Sequence, residues 1–245
     1  MEYVVQRPKF LSRAQGCKDP LPTVIVLLTA TGGMLDAISF LGLGQVFVGM
    51  MTGNVITFGF ALGGAPHFTE LAPVLAVLGF VAGVTSTARA ARRRQGADSG
   101  RWFTAVLLLE TTLLLTAAVI STVPHAVAGR NTVVTVLAVT MGMRCAALRS
   151  LAVPELQATF ALTGALIALL HDICAGSASS VQLLRRLGII GATCAGAAVG
   201  VTAMTHLGLS GALGTVALAV AALVVTLHRQ LAVEPARPAS ALRNG

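Results

Sequence analysis

Apolar residues fall into eight long blocks along the chain, at about residues 23–41, 46–63, 71–88, 102–122, 132–148, 157–175, 187–206 and 211–227. Each is near the roughly 20 residues that a transmembrane helix needs. The pattern predicts an all-α, polytopic membrane helical bundle. Eight blocks need not make eight crossings. Only Gly42-Leu43-Gly44-Gln45 separates the first two. Read as one helix, residues 23–63 would be roughly 60 Å long, twice the hydrocarbon thickness. The region is therefore either two crossings or one crossing followed by a re-entrant piece.

Positive charge discriminates between these. The basic groups are the N-terminal tail with Arg7, Lys9, Arg13 and Lys18, then Arg89, Arg92, Arg93, Arg94 and Arg101, then Arg185 and Arg186, then Arg229, Arg237 and Arg243. The links 64–70, 123–131 and 207–210 carry Arg130 alone. Lys and Arg are retained on the cytosolic side, so eight crossings with the N-terminus inside would put the five-Arg link outside. One net crossing each for 23–63 and 132–175 puts all four basic groups inside. The expected architecture has about six net crossings in the cell inner (plasma) membrane, with both termini cytoplasmic. Residues 1–22 read as a basic cytosolic tail, 23–228 as the membrane domain and 229–245 as a disordered cytosolic tail.

Composition agrees with the pattern. Hydrophobic residues make up 55% of the chain and charged residues 11%, with a mean hydropathy of +0.83, against about 25% charged in a soluble domain. The net charge of +8 reads as topology and argues against a nucleic-acid partner; the lipid bilayer is the partner. Cys17, Cys145, Cys174 and Cys194 show neither Cys-x-x-Cys nor zinc-ligand spacing, so no metal or cofactor is expected. Aromatics are too few for a belt, though Trp102 stands where a span begins.

The halves of the chain resemble each other. Gly33-Met34-Leu35-Asp36-Ala37 aligns with Gly142-Met143-Arg144-Cys145-Ala146, and Thr52-Gly53 with Thr163-Gly164. Gly79-Phe80-Val81-Ala82-Gly83-Val84-Thr85 aligns with Gly196-Ala197-Ala198-Val199-Gly200-Val201-Thr202. Three crossings per half would make the halves, about 23–122 and 132–228, inverted repeats, each with a broken or re-entrant first element. That is a recurring plan of secondary transporters. The Gly79/Gly83 and Gly196/Gly200 pairs have the small-xxx-small spacing that lets helix backbones approach closely, and packing is the reading they favour.

Gly33-Met34-Leu35-Asp36-Ala37-Ile38-Ser39-Phe40-Leu41, Gly44-Gln45-Val46-Phe47-Val48 and Met51-Thr52-Gly53-Asn54-Val55 together resemble the YoaK-like family of bacterial integral membrane proteins (domain of unknown function 1275). The resemblance covers most of the chain. It implies about six spans and supplies no activity. The second half departs from the family pattern: Arg144-Cys145 stand where the family carries Gln-Asn, and Ala165 is the counterpart of Asn54.

Polar groups inside apolar blocks are the candidate site. Asp36 follows Gly32-Gly33, about two-thirds of the way along the first block. It would bind a cation, take a proton or pair with Arg144; the plainer reading is a structural ion pair or an interfacial carboxylate. Thr52, Gly53 and Asn54 offer a hydroxyl, a flexible backbone and an amide, for a ligand or for holding a turn. Gln45 belongs to the same segment. Glu110 lies inside a long apolar run, and Arg144 is either a buried counter-ion or snorkels to the interface. His171-Asp172 reads as interfacial, with a proton relay as the sharper alternative. No enzyme is expected. Gly208-Leu209-Ser210-Gly211 has the Gly-x-Ser-Gly of rhomboid-type proteases, but its only later histidine, His228, lies roughly 27 Å further along a helix. The expected function is a small-solute secondary transporter or permease with a midplane site, coupled to a proton or sodium gradient. The alternative is a non-transporting scaffold or regulatory protein whose polar residues serve helix packing. Self-association is left open.

Overall fold

A computed structural model of the chain describes residues 21–94, 99–123, 127–150, 162–175 and 180–232. Within them there are only helices and short turns. Most of both expected tails, with Cys17, and residues 157–161 of the sixth apolar block lie outside the described residues. In chain order the helices are α1 (Leu21–Gly42), α2 (Met51–Leu62), α3 (Leu71–Arg93), α4 (Ser99–Ile120), α5 (Val127–Ser150), α6 (Leu162–Cys174) and α7 (Ser180–Ala232). The final helix runs past the expected end of the membrane domain at residue 228.

Four stretches are long and apolar enough to cross a membrane: Leu71–Arg93, Gly100–Ile120, Ala128–Ser150 and Leu183–Arg229. α2 and α6 have 12 and 13 residues, about 18 and 20 Å, short of the roughly 30 Å hydrocarbon core. α7 has the opposite excess. Its 53 residues would extend about 80 Å if straight. Gly208 breaks it, with φ 69° and ψ −177°, a region open essentially to glycine alone. The two limbs, 180–207 and 209–232, match the last two apolar blocks. The first glycine of the protease-like motif is thus the residue that breaks the helix.

Membrane helices gain little from burying apolar side chains against each other, so close backbone approach matters more. α1 lies on the first limb of α7, and α3 lies on α5. A side chain at Gly196 would strike the carbonyl oxygen of Ala30, and one at Gly200 would stand 2.9 Å from that of Met34. In the other pair, Gly79 meets the Thr135 carbonyl at 2.9 Å and Gly83 the Val139 carbonyl. Reciprocally, Gly33 faces the backbone of Thr193 and Gly142 that of Phe80. In each pair, a step of four residues along one helix matches a step of four along its partner, so both pairs run parallel. The small-xxx-small glycines are packing residues in both halves. α4 packs against α5 and α7 and brings Leu107, Leu114 and Ala117 into the core. The second limb of α7 adds Leu213, Val216, Val220 and Val224.

Candidate polar centres in the membrane

Polar residues of the first half gather around the break between α1 and α2. α1 ends with Leu43 and Gln45 donating their backbone N–H groups to the carbonyls of Ser39 (2.9 Å) and Phe40 (3.0 Å). Gly44 and Gln45 then adopt positive φ, 94° and 61°, and the chain doubles back along its own helix. Phe47 stacks on Phe40 at 4.7 Å between ring centroids. Val48 and Gly49 arrive beside Asp36, whose Oδ1 accepts both N–H groups at 3.0 and 2.7 Å. A side chain at Gly49 would crowd Asp36 Oδ2 and the Met141 methyl, each 3.0 Å away.

Asn54, fully buried, closes the other end of this turn. Its Oδ1 accepts the Phe47 N–H at 2.9 Å and its Nδ2 donates to the Phe47 carbonyl at 2.6 Å. Gly53 leaves room for the Phe47 ring, which a side chain would meet at 2.6 Å. Thr52 is exposed. The structure therefore brings Asp36, Gly53 and Asn54 together around residues 47–49, with both polar side chains clasping main chain. Gln45 sits at the reversal, and its Oε1 is buried without a hydrogen-bond partner.

A second centre lies where α1, α4 and α5 meet. Arg144 and Glu110 are both fully buried. Arg144 Nε donates to both Glu110 carboxylate oxygens at 3.0 and 3.2 Å, and a terminal guanidinium nitrogen also bonds Glu110 Oε1. The remaining terminal nitrogen crosses to α1, donating to the Leu28 carbonyl at 3.1 Å and the Thr31 hydroxyl at 3.0 Å. Of the two readings of Arg144, the buried counter-ion holds; it does not snorkel. Its partner is Glu110, where the sequence suggested Asp36. Asp36 is engaged instead by the returning backbone. The two centres are neighbours: the Met141 methyl lies 3.8 Å from a side-chain position at Gly32, and Arg144 lies 3.9 Å from the same point.

The remaining candidates are peripheral. Asp172 accepts from Arg186 at 2.7 Å and lies 3.6 Å from His171, whose side chain is 77% exposed. Cys145, Cys174 and Cys194 are free thiols, and the described residues contain no cluster of three or more metal-ligating side chains. Sequence reasoning missed the engagement of Leu28 and Thr31 by Arg144. It held the signal for the pair itself: one acid and one base, each inside an apolar run, neutralise each other at least cost.

A family model described as "Protein of unknown function (DUF1275)" matches residues 24–226, from within α1 to within the last limb of α7. The chain belongs to the DUF1275 family. It is similar to UPF0700 transmembrane protein YoaK of Bacillus subtilis (strain 168), with 32% identity over 154 residues, 62% of this chain and 66% of the relative. The match thus spans just under two thirds of that protein. No solved structure matches the chain. Membership and the apolar helices make this DUF1275 protein a multi-pass membrane protein.

Proposed function

We propose that the protein is a small-solute secondary transporter, built from two inverted halves of three net crossings each, with its site on the seam between α1 and α5. The observation that carries the reading is the buried Glu110–Arg144 pair, whose guanidinium also holds α1. Ionisable groups inside a membrane are costly and by default functional. Transporters with inverted repeats place their sites beside interrupted helices at the repeat interface.

Two sets of contacts support the architecture. The first element of each half, α1 or α5, lies parallel on the third element of the other half, through glycines at corresponding positions. The second set concerns direction. Gly44, just past the end of α1, faces the Arg130 guanidinium, in the first turn of α5. Ala61 in the last turn of α2, Leu71 at the start of α3, and Arg130 and Asn131 line one cavity. α2 therefore starts beside Asp36 and returns to the face where α1 ended. This supports a re-entrant α2 and one net crossing for residues 21–62. With the basic clusters inside, both termini are cytosolic and the cavity lies outside.

In this mechanism Asp36 is the coupling carboxylate for a proton or sodium ion. Loading it would loosen its hold on Val48 and Gly49 and free the re-entrant turn to move. The test is flux into vesicles reconstituted with the full chain, using a panel of small solutes with and without proton and sodium gradients. Gradient-driven flux lost in Asp36→Asn supports the assignment; undiminished coupled flux in that variant removes Asp36 from coupling. One observation favours the rival, a non-transporting scaffold. Asp36 and Asn54 both bind main chain, as side chains that merely hold a turn would. That reading expects Asp36→Asn to lower thermal stability and no solute to be moved by wild type.

A further inference from the structure

The link between α2 and α3 and the first turns of α3 and α5 line an open-sided cavity of about 420 Å³, within the roughly 300–1,000 Å³ range of small-molecule sites. Phe68 and Leu71 supply apolar wall, and Asn131, Glu70 and Arg130 supply polar groups. Arg130 Nε is buried and has no hydrogen-bond partner, a state that native proteins rarely leave unexplained. Arg144 pairs with Glu110, and Asp172 with His171 and Arg186, whereas Arg130 and Glu70 take part in none of these ion pairs. Arg130 and Glu70 thus line one cavity with opposite charges and without bridging it. Glu70 and Leu71 at the start of α3, and Arg130 and Asn131 near the start of α5, border the same space, so both helix ends add partial positive charge, that of α3 beside Glu70.

We propose that this cavity binds a small zwitterion, its acid group on Arg130 and Asn131 and its ammonium on Glu70. A simple anion would meet the Glu70 carboxylate, and a simple cation would meet the guanidinium and two helix N-termini. A molecule carrying both groups satisfies each wall, and Phe68 and Leu71 accept a short apolar portion. Two sources share this chemistry: a free amino acid and the phosphoethanolamine headgroup of a lipid. The site stands on the cavity alone and holds whether or not the protein transports.

The test uses the full chain in nanodiscs of phosphatidylcholine, with radiolabelled L-alanine and O-phosphoethanolamine as soluble probes. Saturable binding of at least one probe is expected, weakened about tenfold or more by Arg130→Gln and by Glu70→Gln, as loss of a charge-assisted contact requires. The melting temperature without probe should match wild type, because neither side chain has a protein partner to lose. Alanine binding that is unaffected by phosphatidylethanolamine in the disc identifies the free solute. Competition by that lipid identifies the headgroup. Failure of both probes to bind at millimolar concentration overturns the proposal, as does binding equally strong in both variants.

Discussion

Glu110 and Arg144 show how a residue's role depends on its partner's presence. Removing one member of a buried pair leaves an uncompensated charge and costs about 3–5 kcal/mol, whereas replacing both with apolar groups is often neutral or stabilising. Glu110→Gln is therefore expected to lower the unfolding midpoint sharply in a detergent titration. Glu110→Leu combined with Arg144→Met is expected to recover most of that loss. If the pair serves transport, the recovered double variant will be stable and inactive; a stable variant with full flux would make the pair structural only. Asn54→Ala leaves the Phe47 N–H and carbonyl unpaired, at about 1–3 kcal/mol per buried group. Hydrogen exchange at Phe47 should rise in that variant while exchange in α3 and α5 stays unchanged. The sequence showed that these polar residues were out of place in apolar surroundings. It did not show what they touch, because a side chain bonding main chain leaves no complementary residue to read. Val48 and Gly49 join Asp36 through N–H groups that every non-proline residue carries.

At the scale of helices, the apolar blocks anticipated the eight helical pieces of the described residues, since length and hydropathy are what a bilayer selects. Their ends were less legible: α7 continues through residues 229–232, beyond the block that marked it, because Arg229 and Gln230 end the apolar run without ending the helix. Glycine spacing carried the packing. Gly83 and Gly142 stand against carbonyl oxygens of the facing helix, so even one methyl group forces α3 and α5 apart. Gly83→Ala or Gly142→Ala should cost about 1–3 kcal/mol, the usual range for overpacking. Gly188→Ala is the matched control, because nothing lies within 4 Å of a side chain there. It should leave the same midpoint unmoved. Gly208 tests a different force. Alanine there meets open space and still has to adopt φ near 69°, a strain of about 1–3 kcal/mol. A midpoint unchanged in Gly208→Ala would mean that the limbs of α7 can join through another geometry.

At the scale of the molecule the decisive quantity is the direction of each crossing. Short-range sequence matches suggested two related halves but could not orient them; arginine placement supplies the orientation proposed, because charge is sorted across a membrane. The packing adds an independent constraint. α1 ends where α5 begins, so the two run in opposite senses. A re-entrant α2, as proposed, makes α3 run opposite to α1. These relations predict which links share a side. On a background with the native cysteines replaced, an impermeant maleimide added to intact cells should label Ala65→Cys, Val123→Cys and Ser210→Cys. Arg94→Cys and Ala175→Cys should react only after permeabilisation. Eight full crossings would reverse the middle of the pattern, because a spanning α2 puts Ala65 and Val123 inside and Arg94 outside. The inverted halves stand or fall with that experiment: Arg94 labelled from outside would mean that α2 spans, that the five-arginine link is translocated, and that the Arg130 cavity opens on the cytosolic face.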